Sequence, residues 1–147
     1  MSDFALKRPA PKLQREPALD EVRKILEFYD YNIGDLQDGP VKNQATESLE
    51  TLTRAFMDGS LEINETAAEF TVTQNLKKSP KVIGPINYGQ FRGDAKLILD
   101  KVPAGETYKR IDTLLAYLGK TDISAFKSMD AVDLATAEAL GFLFLSK

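Results

Sequence analysis

The sequence contains no cysteine and no histidine. Without cysteine there can be no disulfide and no thiolate metal site. Without histidine the usual proton shuttle at neutral pH is missing, so the familiar nucleophile-histidine triads and zinc centres are excluded. Long hydrophobic runs are scarce too. Met1 to Pro17 holds no apolar central stretch of the kind a secretory signal needs, and the apolar run before Lys147 is too short and too interrupted to span a bilayer. A surplus of one charge is also lacking. The 19 basic and 22 acidic residues leave a net charge of -3, which offers no global attraction for nucleic acid or an anionic membrane. Together these absences predict a soluble intracellular protein with no membrane partner, no metal and no cofactor.

What is present is a core-forming sequence. Apolar residues make up 43% of 147, enough for one domain with an appended segment. Residues 1–16 read as a basic arm, with Lys7, Arg8, Lys12 and Arg15 set among Pro9 and Pro11, a composition that favours extended backbone over helix. Residues 17–59 read as two helices. Leu19, Val22, Leu26 and Tyr29 recur at helical spacing, with the first helix ending near Tyr31. Val41, Ala45, Leu49, Leu52 and Phe56 do the same up to a stop at Asp58-Gly59.

Residues 60–147 change period. Leu61 and Ile63, then Ala68, Phe70 and Val72, alternate with polar residues around "NET", which predicts a small hairpin. A third helix is expected on the stripe Tyr88, Phe91, Ala95, Leu99 and Val102. The fourth is the clearest, on Tyr108, Ile111, Leu114, Leu115 and Leu118, with Gly119 suited to its C-terminal stop. Ser124 opens a short turn holding Phe126 and Met129, and Ser128 or Asp130 is positioned to cap a last helix through Leu134, Ala137, Leu140 and Phe144. The expected fold is a compact, mainly α domain with a small antiparallel β-hairpin, α+β in the loose sense, preceded by an extended arm.

Motif tests return little chemistry. Asp30 and Asn32 match the start of an EF-hand loop, yet the glycine falls one place early at Gly34 and the twelfth position is Val41, where a bidentate glutamate is required. Gly84 and Gly89 are spaced like a phosphate loop, but Gln90 and Phe91 stand where lysine and a hydroxyl residue are needed. Carboxylate pairs remain as candidates, Asp112 with Glu106 and Asp130 with Asp133. The second pair sits where acidic residues stabilise a helix N-terminus, so capping is the expected role. No catalytic residue is assigned. The best polar feature is a basic cluster, Lys77, Lys78 and Lys81, followed by Arg92 and Lys96 with Tyr88 and Phe91 interleaved. Cations beside aromatics could hold single-stranded nucleic acid, but Tyr88 and Phe91 share the apolar stripe and read as core.

The most apolar run of all closes the chain: Leu140, Phe142, Leu143, Phe144 and Leu145. Such residues need cover, either from the protein's own core or from a partner. Leu140, Phe142, Leu143 and Phe144 are the candidate partner contacts, with Lys77, Lys78 and Lys81 as a secondary polar site.

Three features in order, from Leu61 to Leu145, resemble the tail assembly chaperones of long-tailed bacteriophages. These are the hairpin "LEINETAAEFTVTQ", the helix "YKRIDTLLAYLGKTD", and "ISAFKSMDAVDLATAEALGFLF", where Phe126, Met129, Asp130, Asp133 and Leu134 lead into the final helix. The resemblance implies a non-catalytic protein of the host cytoplasm that covers the tape-measure protein and recruits tail-tube subunits. A longer product made by frameshifting is common in that family. The departure is N-terminal: two helices and a basic arm precede a hairpin that the family usually places near its start. That leaves open a structural virion component such as a head-to-tail connector or neck protein, and, as a further alternative, a small nucleic-acid-binding or regulatory protein. Homo-oligomerisation stays open as well.

Overall fold

The computed structural model describes residues 13–28, 38–66, 69–78, 84–89, 93–103 and 105–145. Within these, the chain forms α1 (Arg15–Phe28), α2 (Pro40–Asp58), β1 (Leu61–Glu65), β2 (Phe70–Gln74), β3 (Ile86–Tyr88), α3 (Gly93–Leu99), α4 (Thr107–Leu118), α5 (Ser124–Lys127) and α6 (Ala131–Leu145). The mainly helical fold with a small antiparallel sheet matches expectation. Most of the basic arm lies outside the described residues, although α1 begins at Arg15, inside the stretch read as arm.

The helices pair as their apolar stripes dictate. Ala18, Val22 and Ile25 of α1 are buried against α2, and Arg15 clamps the same pair by donating to both carboxylate oxygens of Glu50, at 3.0 and 2.9 Å. Pro40 opens α2 where a missing N–H costs nothing, and Gly59 closes it with φ 84°, a left-handed conformation that glycine adopts without strain. The turn then feeds β1 directly. Phe28 at the end of α1 stacks on Phe70 of β2 with ring centroids 4.1 Å apart.

The hairpin is real but incomplete as a description, because a third strand joins it. β1 and β2 pair antiparallel with Ile63 opposite Val72, and β2 pairs antiparallel with β3, setting Val72 opposite Tyr88. Tyr88 therefore begins no helix: it is a strand residue, and the helix expected from Tyr88 to Val102 shrinks to Gly93–Leu99. One face of the sheet carries Leu61, Phe70, Val72, Ile86 and Tyr88 into the core. The other carries a polar ladder in which Asn64 donates to Thr73 Oγ1 at 2.8 Å and Thr73 donates to Asn87 at 2.6 Å.

The last helix, α6, lies at the centre. It packs on both α2 and α4, and apolar residues are spread around most of its circumference, as suits a helix with neighbours on more than one side. Asp130 caps it, its Oδ1 accepting the Val132 N–H at 3.0 Å. Contact with α4 is close enough to need a glycine: a Cβ at Gly141 would meet Ile111 Cγ2 at 2.5 Å. Gly119 has a similar duty. It ends α4 in right-handed conformation (φ -85°), and the left-handed residue expected there is Lys120 (φ 52°), whose successor Thr121 donates back to the Ala116 carbonyl at 3.0 Å. What Gly119 provides is room, since a Cβ would lie 2.6 Å from Ile86 Cγ2.

Gly141→Ala should gain helix propensity and still lose stability, because Ile111 is buried and β-branched and cannot swing aside. Thermal denaturation is expected to register a net loss of about 1–2 kcal/mol. An unchanged melting temperature would mean that α4 and α6 are not packed at this distance.

Candidate functional site

Asp133, in the first turn of α6, is only 2% exposed. Its carboxylate accepts two backbone N–H groups of the segment after β2, Lys77 to Oδ1 at 2.7 Å and Lys78 to Oδ2 at 2.8 Å. Its own carbonyl accepts Gln74 Nε2 at 2.8 Å, and Gln74 Oε1 accepts the Tyr88 hydroxyl at 2.7 Å. Gln74 and Tyr88 are both 0% exposed. A buried polar chain thus runs from β3 through β2 to the N-terminus of α6, and burial pushes the Tyr88 phenol well above its ordinary value.

On the face of α6 opposite Asp133, α2, α4 and α6 wall a groove of about 480 Å³. Gln44, Glu47, Ser48 and Thr51 supply one wall, and Ala135, Glu138, Ala139 and Phe142 the facing one. Both sets follow the spacing i, i+3, i+4, i+7, so each is a single stripe along its helix, roughly 10 Å long at 1.5 Å per residue. Thr107, Tyr108 and Ile111 of α4 complete it. Tyr108 is 68% exposed.

Two polar groups in this region lack ordinary surroundings. Ser48 is 2% exposed and its Oγ has no hydrogen-bond partner. Glu138 is held above the usual carboxylate range, chiefly by burial and further by the neighbouring Asp112 carboxylate. Asp112 itself is raised by burial despite the opposing charge of Lys127, and its Oδ1 is buried without a partner. Glu106, its suggested partner, instead faces Lys109 with an N–O distance of 3.6 Å.

The residues expected to meet a partner divide. Leu140 and Leu143 are 0% and 4% exposed and belong to the chain's own core, where they cannot be offered to a partner. Phe142 lines the groove, and the Phe144 side chain lies outside the described residues. Lys77 and Lys78 turn out to matter through their backbone, while Lys77 Nζ bridges to Asp58 at 2.5 Å. Lys81, Phe91 and Arg92 lie outside the described residues. Tyr88, fully buried, presents no stacking face. Among the described residues no group of three or more acidic side chains is arranged to hold a metal ion, and no helix is long and apolar enough to cross a membrane.

No protein-family model, curated protein or solved structure matches the chain.

Two outcomes are expected. Asp133→Asn replaces one acceptor oxygen with an NH₂ that faces a backbone donor, so denaturant unfolding should reveal a loss of about 2–4 kcal/mol, whereas Asp130→Asn keeps a good cap and should be nearly neutral. Equal effects would mean that the clasp adds nothing beyond capping. For Asp112 the folded state favours the protonated acid, so it binds more protons than the unfolded chain, and stability falls as pH rises from the ordinary carboxylate range through the raised folded value. Asp112→Asn should therefore melt above wild type at neutral pH, with the difference shrinking on acidification. A difference that grows in acid would refute the assignment.

Proposed function

We propose that this protein is a non-catalytic assembly factor of bacteriophage tails, a chaperone that holds the tape-measure protein in the host cytoplasm while tail-tube subunits gather. The observation that carries this reading is the Asp133 clasp. The stretches that resemble the chaperone family are separate in sequence, yet the end of the hairpin at Gln74, the connection at Lys77 and Lys78, and Asp133 in the first turn of the final helix are bonded together as one unit. Their association gives a physical reason for that motif to exist. The groove on the opposite face of α6 supplies a surface on which a helical partner can lie.

A stable virion component, such as a connector or neck protein, is the second reading. It draws on α1 and α2, which precede the hairpin and are integrated into the same core. The nucleic-acid reading has less to draw on, because Tyr88 is buried and Lys77 is paired with Asp58.

Expression of the tagged chain with its neighbouring genes, followed by mass spectrometry of what co-purifies and of assembled particles, separates the first two. A long helical tape-measure protein in the pull-down, with this chain absent from particles, is the expected result. Abundant incorporation into particles would replace the chaperone with the structural component. Within that assay Tyr108→Ser should reduce partner recovery several-fold at unchanged melting temperature. Leu140→Ala should instead destabilise the fold by about 2–5 kcal/mol through a core cavity. A Tyr108 variant that recovers partner normally would remove the groove from the mechanism.

A further inference from the structure

The groove between α2, α4 and α6 is selective in its chemistry as well as its shape. Of the described residues that line it, two are acidic, Glu47 and Glu138, and none is basic. Each acid sits in the middle of its stripe, one on α2 and one on α6, so the two negative groups stand on opposing walls. Ser48, next to Glu47 and almost fully buried, adds an oxygen that no group among the described residues satisfies. Apolar surface flanks these groups at Phe142, Ile111 and Tyr108, while Ala135 and Ala139 keep the α6 wall low.

Taken as one receptor, these features call for a positive, multiply donating group with carbon on either side. An uncharged helix would bury Glu138 without a partner, which is costly. An acidic one would add repulsion. The partial burial that already withholds water from the Glu138 carboxylate, and the nearby Asp112, are both relieved by a cation.

Building on the tail-assembly reading, we infer that the groove receives a helix of the protein partner that carries a lysine or arginine between apolar residues, the cation pairing with Glu138 and the apolar neighbours covering Phe142 and Tyr108. The groove's length admits about two turns of that helix, which sets the recognition element at one basic residue with apolar residues three or four positions away on either side. A second copy of this chain is a different occupant and would appear as self-association.

The probe is a displayed library of short random peptides on a helix-favouring alanine frame, selected against the full-length chain. Selected peptides should be enriched in lysine or arginine flanked by apolar residues, and Glu138→Gln should weaken their binding about tenfold while leaving the melting temperature at or above that of wild type. Replacement of the basic residue in a selected peptide by glutamine should have little further effect on the Glu138→Gln protein, because both changes delete the same contact. Failure to select peptides, selection without basic enrichment, or equal binding to the Glu138→Gln protein would overturn the inference, as would concentration-dependent dimerisation that blocks the peptides. The selection does not depend on any phage component. It can fail while the tape-measure protein is still recovered in the pull-down, and it can succeed where that recovery fails, so the two proposals fall separately.

Discussion

A carboxylate without water must find its hydrogen bonds inside the protein, and Asp133 finds them on a segment more than fifty residues away in sequence. That requirement fixes the relation between the sheet and α6. Its backbone N–H partners belong to consecutive residues, Lys77 and Lys78, so the connection after β2 can approach the helix in only a narrow range of orientations. Gln74 then bridges the Asp133 carbonyl to the Tyr88 hydroxyl, and the third strand is drawn into the same constraint. The negative charge also lies in the first turn of its helix, where the backbone dipole favours it. Loss of this one group would leave two loop donors and the N-terminal end of the central helix to be reorganised together.

With its N-terminal end held this way, α6 packs between α2 and α4, on which α1, α3 and α5 are in turn packed. Leu140 and Leu143 point to the core, and Gly141 between them admits α4 to a separation that a Cβ would prevent. This explains why the most apolar stretch closes the chain. It is the segment that the rest of the fold encloses, and its apolar surplus is consumed mainly by α2 and α4. The stripe Ala135, Glu138, Ala139 and Phe142 is left to line a groove.

Legibility in the sequence followed the range of the interactions concerned. The stripes of α2, α4 and α6 could be read because helical periodicity is local, and Gly59 and Asp130 act within their own turns. That of α1 reads one residue late, since Ala18 and Ile25 take the core positions expected of Leu19 and Leu26, which are half-buried. β3 could not, for a reason of coincidence: Tyr88 stands three residues before Phe91 and seven before Ala95, so a strand residue fell in register with a helical stripe. Gly119 was legible as a helix end but not for its cause, since the methyl group of Ile86 that excludes a side chain there comes from another element. Asp133 looked like one more acid in a first turn. Nothing near it in sequence announces bonds to Lys77 and Lys78. Ser48 and Glu138 carried no signal at all, because a serine on one helix and a glutamate on another become notable only once packing has buried them.

The same reasoning explains why binding residues are poorly predicted by hydrophobicity along this chain. A residue can serve a partner only if folding leaves it accessible, and the strongest apolar signals, Leu140 and Leu143, are the ones folding uses first. What remains at the groove is a mixed surface: an exposed tyrosine, a half-buried phenylalanine, small residues, and acids whose charge is incompletely compensated. Such a surface suits association that must later be undone. A purely apolar groove would hold a partner through area alone, with little discrimination between helices, whereas acidic groups in a partly dry setting make affinity depend on one correctly placed cation. On the tail-assembly reading proposed above, in which a helical partner is covered and later released, selectivity through a few polar contacts at moderate affinity is the more workable arrangement. One wall of this groove is α2, one of the two helices that precede the hairpin, so on the proposed reading those helices belong to the binding surface itself.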